Sequence, residues 1–198
     1  MWWKYEFMDI EDEATFVKVN KNAVRDKLRN TEAKKLRSEF LQKRITFNLP
    51  SGHELDGGWI RVRDEGDKIT MSLKIVNGNK IEDQKEISIR IDSLENARVF
   101  LRTIGCIEKS YQETKRELWK IDEVEVTIDE WPFLEPFVEI EGPSEQAVKE
   151  VAQKLGFEWA EAKFCAVGTL YSEKYCITED KINNQTPMIV FEMKNPFV

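Results

Sequence analysis

A single histidine, His53, among 198 residues leaves little for the usual proton shuttles to work with. It sits in PSGHELDGG, a turn-forming stretch, which excludes most Ser-His and Cys-His mechanisms. Cysteine is almost as scarce. Cys106, Cys165 and Cys176 are scattered without metal-ligand spacing, and their odd number argues against a disulfide framework. A reducing cytoplasm is therefore the expected setting. No run of about 18 apolar residues is present, so no membrane-spanning helix is expected. The start, MWWKYEFMDIEDE, is too acidic for a signal peptide and lacks its apolar core. Neither a P-loop nor a dinucleotide-binding glycine fingerprint occurs. Positive charge is also in the minority, with 30 Lys and Arg against 37 Asp and Glu and a net charge of −7. Nucleic-acid binding by overall attraction is thereby disfavoured. Any anion must be held by a local cluster of cations, and any chemistry must rest on carboxylates, lysine and arginine.

The residues that are present describe a strand-rich globular chain, 41% hydrophobic and 11% aromatic. A first strand is expected over Ile10–Val19, followed by a basic helical segment from Asn20 to about Phe40 with a break at Asn30-Thr31. Lys43–Leu49 alternates as a strand, with Ile45, Phe47 and Leu49 on its apolar side. Further alternation marks Trp59–Arg63, Ile69–Ile75, Lys85–Ile91, Tyr111–Lys120, Glu123–Asp129 and Phe137–Glu141. Helices are expected from Asp92-Ser93 to Gly105 and from Ser144 to Leu155, each opened by a capping serine. In the tail, SEKYCI reads as helix and PMIVFEM as strand. No linker or repeat divides the chain, so one α+β domain over residues 1–198 is expected, with a C-terminal extension from about residue 176.

The charges fall on one side of this pattern. In GGWIRVRDEGDKITMSLK, Ile60 and Val62 alternate with Arg61 and Arg63, a glycine-containing turn follows, and Lys74 returns on the polar face of the next strand. Glu86, Arg90, Arg116, Asp129, Glu139 and Glu141 also oppose apolar neighbours. A flat sheet would leave these groups in water. A sheet closed into a barrel would enclose them, with room for one ligand. Glu11-x-Glu13 and Glu139-x-Glu141 each place two carboxylates on one strand face, which suits a hard divalent cation such as Mg²⁺ or Mn²⁺. The fork-shaped, permanently charged guanidiniums of Arg61, Arg63 and Arg116 suit phosphate oxygens, and Lys74 adds a point charge. Trp59, Trp119 and Trp131 read as packing residues, as does Cys106.

In their order and spacing these residues resemble the CYTH superfamily, the triphosphate tunnel metalloenzymes. That group includes class IV adenylyl cyclases, thiamine triphosphatases and inorganic tripolyphosphatases. The similarity runs from about Ile10 to Tyr175 and is most specific in TIDEWPFLEPFVEIEG. It implies an eight-stranded antiparallel β-barrel tunnel with flanking helices. By the same resemblance, Glu11, Glu13, Asp129, Glu139 and Glu141 hold Mg²⁺ or Mn²⁺. Arg61, Arg63, Lys74 and Arg116 grip the triphosphate, with Lys174 as a late basic residue, and Glu11, Glu13 and the same cations form the catalytic set. The expected partner is a small-molecule triphosphate or polyphosphate, with no nucleic acid and no membrane. The departure is Thr15, where the family pattern E-x-E-x-K has lysine. Three functions follow from the resemblance: metal-dependent hydrolysis of a triphosphate, which is favoured; cyclisation of ATP to cyclic AMP; and, because of Thr15, non-catalytic binding of triphosphate or polyphosphate.

Overall fold

The computed structural model describes residues 8–198. The seven preceding residues, on which the signal-peptide reading partly rests, lie outside that range. Ten strands share one sheet: β1 (Asp9–Ile10), β2 (Asp12–Phe16), β3 (Lys34–Asn48), β4 (Gly58–Asp64), β5 (Ile69–Val76), β6 (Gln84–Ile91), β7 (Ile107–Ile121), β8 (Val124–Glu130), β9 (Phe137–Gly142) and β10 (Met188–Ile189). Five helices flank it: α1 (Lys21–Asn30), α2 (Leu94–Thr103), α3 (Glu145–Lys154), α4 (Val167–Tyr175) and α5 (Glu179–Asn184).

The strand order is β1-β6-β5-β4-β3-β7-β8-β9-β2, with every neighbouring pair antiparallel. β1 and β2 are two halves of one first strand that parts at Glu11. One half pairs with β6 and the other with β9, so this segment joins the two sheet margins. Counted that way, eight lines of chain surround a lumen, as the sequence leads one to expect. β10 is an addition that runs parallel to β7.

Alternation decides what lies inside. The outer face of β2, β8 and β9 presents Ala14, Phe16, Val126, Ile128, Val138 and Ile140, which bury against Val24 and Leu28 of α1 and Val148, Val151 and Leu155 of α3. Ile45, Phe47 and Val62 pack under Leu101 of α2. Phe137 and Trp131 pack with Tyr171 of α4, Ile182 of α5 and Phe197. Asn20 caps α1 by accepting from the backbone N–H groups of Asn22 and Ala23, both at 3.0 Å.

Several expected boundaries move. The first strand stops at Phe16, short of Val19. The expected helix to Phe40 ends at Asn30, and Lys34–Phe40 is instead the outer half of β3. The reason is tertiary, because β7 is 15 residues long and offers a hydrogen-bonding edge along its whole length. There Lys35 lies 4.8 Å over the Trp119 ring and 3.3 Å from Glu117. In the tail, SEKY lies in α4 as expected, whereas PMIVFEM yields only the two-residue β10. No described helix is long and apolar enough to cross a membrane.

Candidate functional site

The inner faces of these strands enclose a cavity of about 760 Å³, within the range of small-molecule sites. Register brings the charges together. In β3, Arg44 lies opposite Arg63 of β4 and Gln112 of β7, and Thr46 lies opposite Arg61 and Ser110. In β5, Lys74 lies opposite Glu86, and across β2 and β9 Glu13 lies opposite Glu141 and Thr15 opposite Glu139.

The side chains form three ionic knots. Lys74 donates to Glu11 Oε1 at 2.9 Å and sits 2.9 Å from Glu86 Oε2, while Arg61 donates to Glu86 at 3.1 Å. Arg63 lies 2.7 Å from Glu65, which is itself buried in the turn after β4. That turn bends through Gly66 at φ 88°, as its sequence requires. Arg116 donates to both Asp129 oxygens at 2.7 and 2.8 Å and also to Glu139, and Thr127 donates to Asp129 at 2.7 Å.

Burial and like charges set the protonation. Burial pushes the Glu11 carboxyl up to about 7, against the pull of Lys74. Burial and the neighbouring Glu139 hold Glu13 well above the usual carboxylate range. Glu139 is raised by burial and by Asp129, with Arg116 opposing. Burial disfavours the Glu86 anion, yet Arg61 and Lys74 more than offset it and hold its carboxyl well below the ordinary range. Burial, with Arg61 and Arg116 nearby, brings Arg63 down to about 10. Desolvation and three neighbouring arginines strongly disfavour the charge on Arg44. Three guanidinium Nε–H groups in this lining, on Arg44, Arg61 and Arg63, are buried with no acceptor in the described protein.

Of the residues singled out in the sequence, Glu11, Glu13, Arg61, Arg63, Lys74, Arg116, Glu139 and Glu141 all line the cavity. Asp129 is fully buried behind Arg116 and holds its fork. Two basic residues lie apart from this cluster. Lys174 is turned to the exterior on α4, where it donates to Glu135 at 2.7 Å. Arg90 is exposed at the end of β6 rather than enclosed with its neighbours. Thr15 is buried on the inner face, and its backbone bridges Lys163 at 3.0 and 2.9 Å. Trp119 and Cys106 are packing residues as expected, while Trp59 faces the lumen.

Arg44 and Lys109 also line the cavity and were not singled out. The signal for Arg44 was present, since it alternates with Ile45 and Phe47. Its Nη2 donates to Gln42 at 2.9 Å and to Thr114 at 2.7 Å, and its plane lies 4.5 Å over Trp131.

This geometry defines a class of protein, the antiparallel barrel closed around an ionic lumen. The chain belongs to the CYTH family, whose domain matches residues 17–163. Solved structures agree on the fold. A Pyrococcus horikoshii protein, PH1012, is 21% identical with a TM-score of 0.64, covering 77% of this chain and 93% of its own. A candidate adenylate cyclase from Vibrio parahaemolyticus is 15% identical with a TM-score of 0.71, covering 83% and 98%. A candidate adenylyl cyclase from Hippeastrum, named for a dominant triphosphatase activity, is 15% identical with a TM-score of 0.50, covering 84% and 96%. No protein with curated annotation matches the sequence.

Proposed function

We propose that this protein is a metal-dependent enzyme that hydrolyses a triphosphate held in the tunnel. One observation carries the reading: the unsatisfied buried Nε–H groups of Arg44, Arg61 and Arg63. Buried donors without partners are costly and rare, and three on one wall call for a ligand rich in acceptor oxygens. A phosphate chain is such a ligand, and its negative charge would relieve the repulsion among the arginines.

The carboxylates suit a divalent cation, Mg²⁺ or Mn²⁺. Among the described side chains no three acidic, histidine or cysteine ligands are already closed on one point. Even so, Glu13 carries the repulsion of Glu139, Glu11 and Glu141 together, an all-oxygen set short of positive charge. Glu11, Glu13, Glu139 and Glu141 are the residues that would hold the ion. Once bound, it neutralises phosphate oxygens and makes water a stronger nucleophile. The protein's own part is positioning: Arg44, Arg61 and Arg63 bind phosphate oxygens along one wall, Lys74 adds a point charge, and Arg116, fixed by Asp129, faces the carboxylates.

The test is to supply Mg²⁺ or Mn²⁺ with tripolyphosphate, ATP or thiamine triphosphate and to score phosphate, pyrophosphate and cyclic nucleotide. Release of phosphate is the expected result, whereas cyclic nucleotide as main product would overturn hydrolysis in favour of cyclisation. Replacing Arg61 and Arg63 together by alanine should weaken triphosphate binding by ~2–6 kcal/mol, from charge-assisted hydrogen bonds of roughly 1.5–3 kcal/mol each. Unchanged affinity in the folded double variant would remove the arginines from the site. Binding without turnover, with either metal, would leave a triphosphate-binding protein and assign the loss to position 15.

A further inference from the structure

Closure of the barrel by its first strand is partial. β1 pairs with β6 only at Lys85 and Glu86. Residues 87–91 of β6 therefore have β5 on one side and, among the described residues, no strand on the other. Alternation fixes which backbone groups face that open side. The Glu11 N–H donates to the Gln84 carbonyl at 3.0 Å, so residue 84, and with it 86, 88 and 90, turns its N–H and C=O away from β5. Ser88 and Arg90 thus each present an outward donor and acceptor, and both residues are exposed.

The side chains on this stretch are as open as the backbone. Ile87 and Ile89 point to the outer face, are 45% and 51% exposed, and belong to none of the three apolar clusters beneath the helices. An apolar strand edge of this kind is a template for further pairing unless something guards it. Arg90 is the one charged residue on it. The stretch reads Ile-Ser-Ile-Arg-Ile, nearly the same in both directions.

We propose that two copies of this chain pair through this edge, antiparallel about a two-fold axis at Ile89, into one sheet that runs across both barrels. A two-fold interface requires a surface complementary to itself, and this stretch meets that requirement in one register. Ser88 of each copy falls opposite Arg90 of the other, and each such pair exchanges two backbone hydrogen bonds between groups that already face outward. Ile89 meets its own copy and Ile87 meets Ile91, so the isoleucines form one ladder on the outer face. Each arginine faces a neutral serine. A shift of one residue would turn the isoleucines of the two copies to opposite faces. Centring the axis on Ser88 would run Arg90 against Glu86, where β1 already sits. Centring it on Arg90 would set the two arginines face to face, which is destabilising.

The test is sedimentation velocity of the full chain over a range of micromolar concentrations, in which the wild type should pass from monomer to dimer. Arg90→Pro removes an outward N–H that β5 does not use, so the barrel should fold and remain monomeric throughout. Ile89→Lys sets like charges together on the axis and should have the same effect. Should either variant melt early, crosslinking makes the comparison in a Cys176→Ser background, which removes the exposed native thiol. There Ile89→Cys should form a disulfide between copies, because its Cα atoms would lie about 4.5 Å apart in a non-hydrogen-bonded pair. Ile87→Cys, which faces Ile91 instead, should not. A wild type that stays monomeric would leave the edge to a different partner and overturn self-pairing. So would a dimer that both edge variants leave intact, or linkage through position 87 in place of 89.

Discussion

The two faces of one sheet are held by different forces. Along β9, Val138 and Ile140 are wholly buried in hydrocarbon, while Glu139 and Glu141, one residue away, line an ionic lumen. The outer face is stabilised by apolar burial, at about 25 cal/mol per Å². The inner face has little hydrocarbon to bury, and its stability depends on each charge finding its opposite. The outer face thus answers to volume and the inner face to charge balance, and changes to either should show which.

The largest effect is expected at Arg116. Arg116→Met strips two hydrogen bonds from the fully buried Asp129. Leaving a buried charge unpaired costs roughly 3–5 kcal/mol, to be read by denaturant unfolding, and turnover should be lost as well. Adding Asp129→Asn should restore much of the stability but not the turnover. If the double variant is as unstable as the single one, charge balance does not govern the inner face.

Ile140→Ala should come next, at about 2–5 kcal/mol for a core cavity. The folded variant should bind triphosphate within about twofold of wild type, because only volume is lost. A selective loss of affinity would break the separation between the faces.

A smaller effect is expected from pH. Burial raises Glu11 to about 7, and burial with Glu139 raises Glu13. Groups whose pKa is higher folded than unfolded stabilise the fold fully below the unfolded value and lose that contribution as pH rises through the folded one. In the absence of divalent cations the melting temperature should therefore fall from pH 5 to pH 8, and Glu11→Gln should flatten the slope. Glu86, held low by Arg61 and Lys74, acts in the opposite sense but only in stronger acid, outside this window. A melting temperature that rises over the same interval would contradict the protonation described for these carboxylates.

The smallest effect is expected at Lys174. Its pair with Glu135 is on the surface, where such bridges are worth about 0–1 kcal/mol. Lys174→Ala should leave stability and turnover nearly unchanged, and a large loss of turnover would return Lys174 to the site.

These four changes follow the line between what alternation reveals and what it hides. Arg61, Arg63, Lys74, Glu139 and Glu141 were legible because each sits one residue from a buried aliphatic, so the period of two carries their direction. Arg44 is equally legible, since it alternates with the buried Ile45 and Phe47 on β3. Lys109 was not legible, since the bulge that turns it inward exists only once β3 and β7 pair. Nor was Lys34–Phe40 as strand, because its charged residues lack alternation and only the length of β7 settles their conformation. The placement of Lys174 apart from the lumen was not legible for a similar reason: the way α4 faces is decided by Tyr171, buried in the core and donating to the Pro132 carbonyl at 2.6 Å.

The parting of the first strand at Glu11 has a kinetic meaning. Its two halves meet β6 and β9, so Glu13 finds Glu141 only after every strand from β3 to β8 has intervened along the chain. Contacts so distant along the chain pay their loop-closure entropy before any reward, and form late. On a ribosome, the first pair of carboxylates to be synthesised must wait for the last pair. Until β9 has emerged the lumen is an open trough, so the growing chain passes most of its synthesis without a closed site for any ligand.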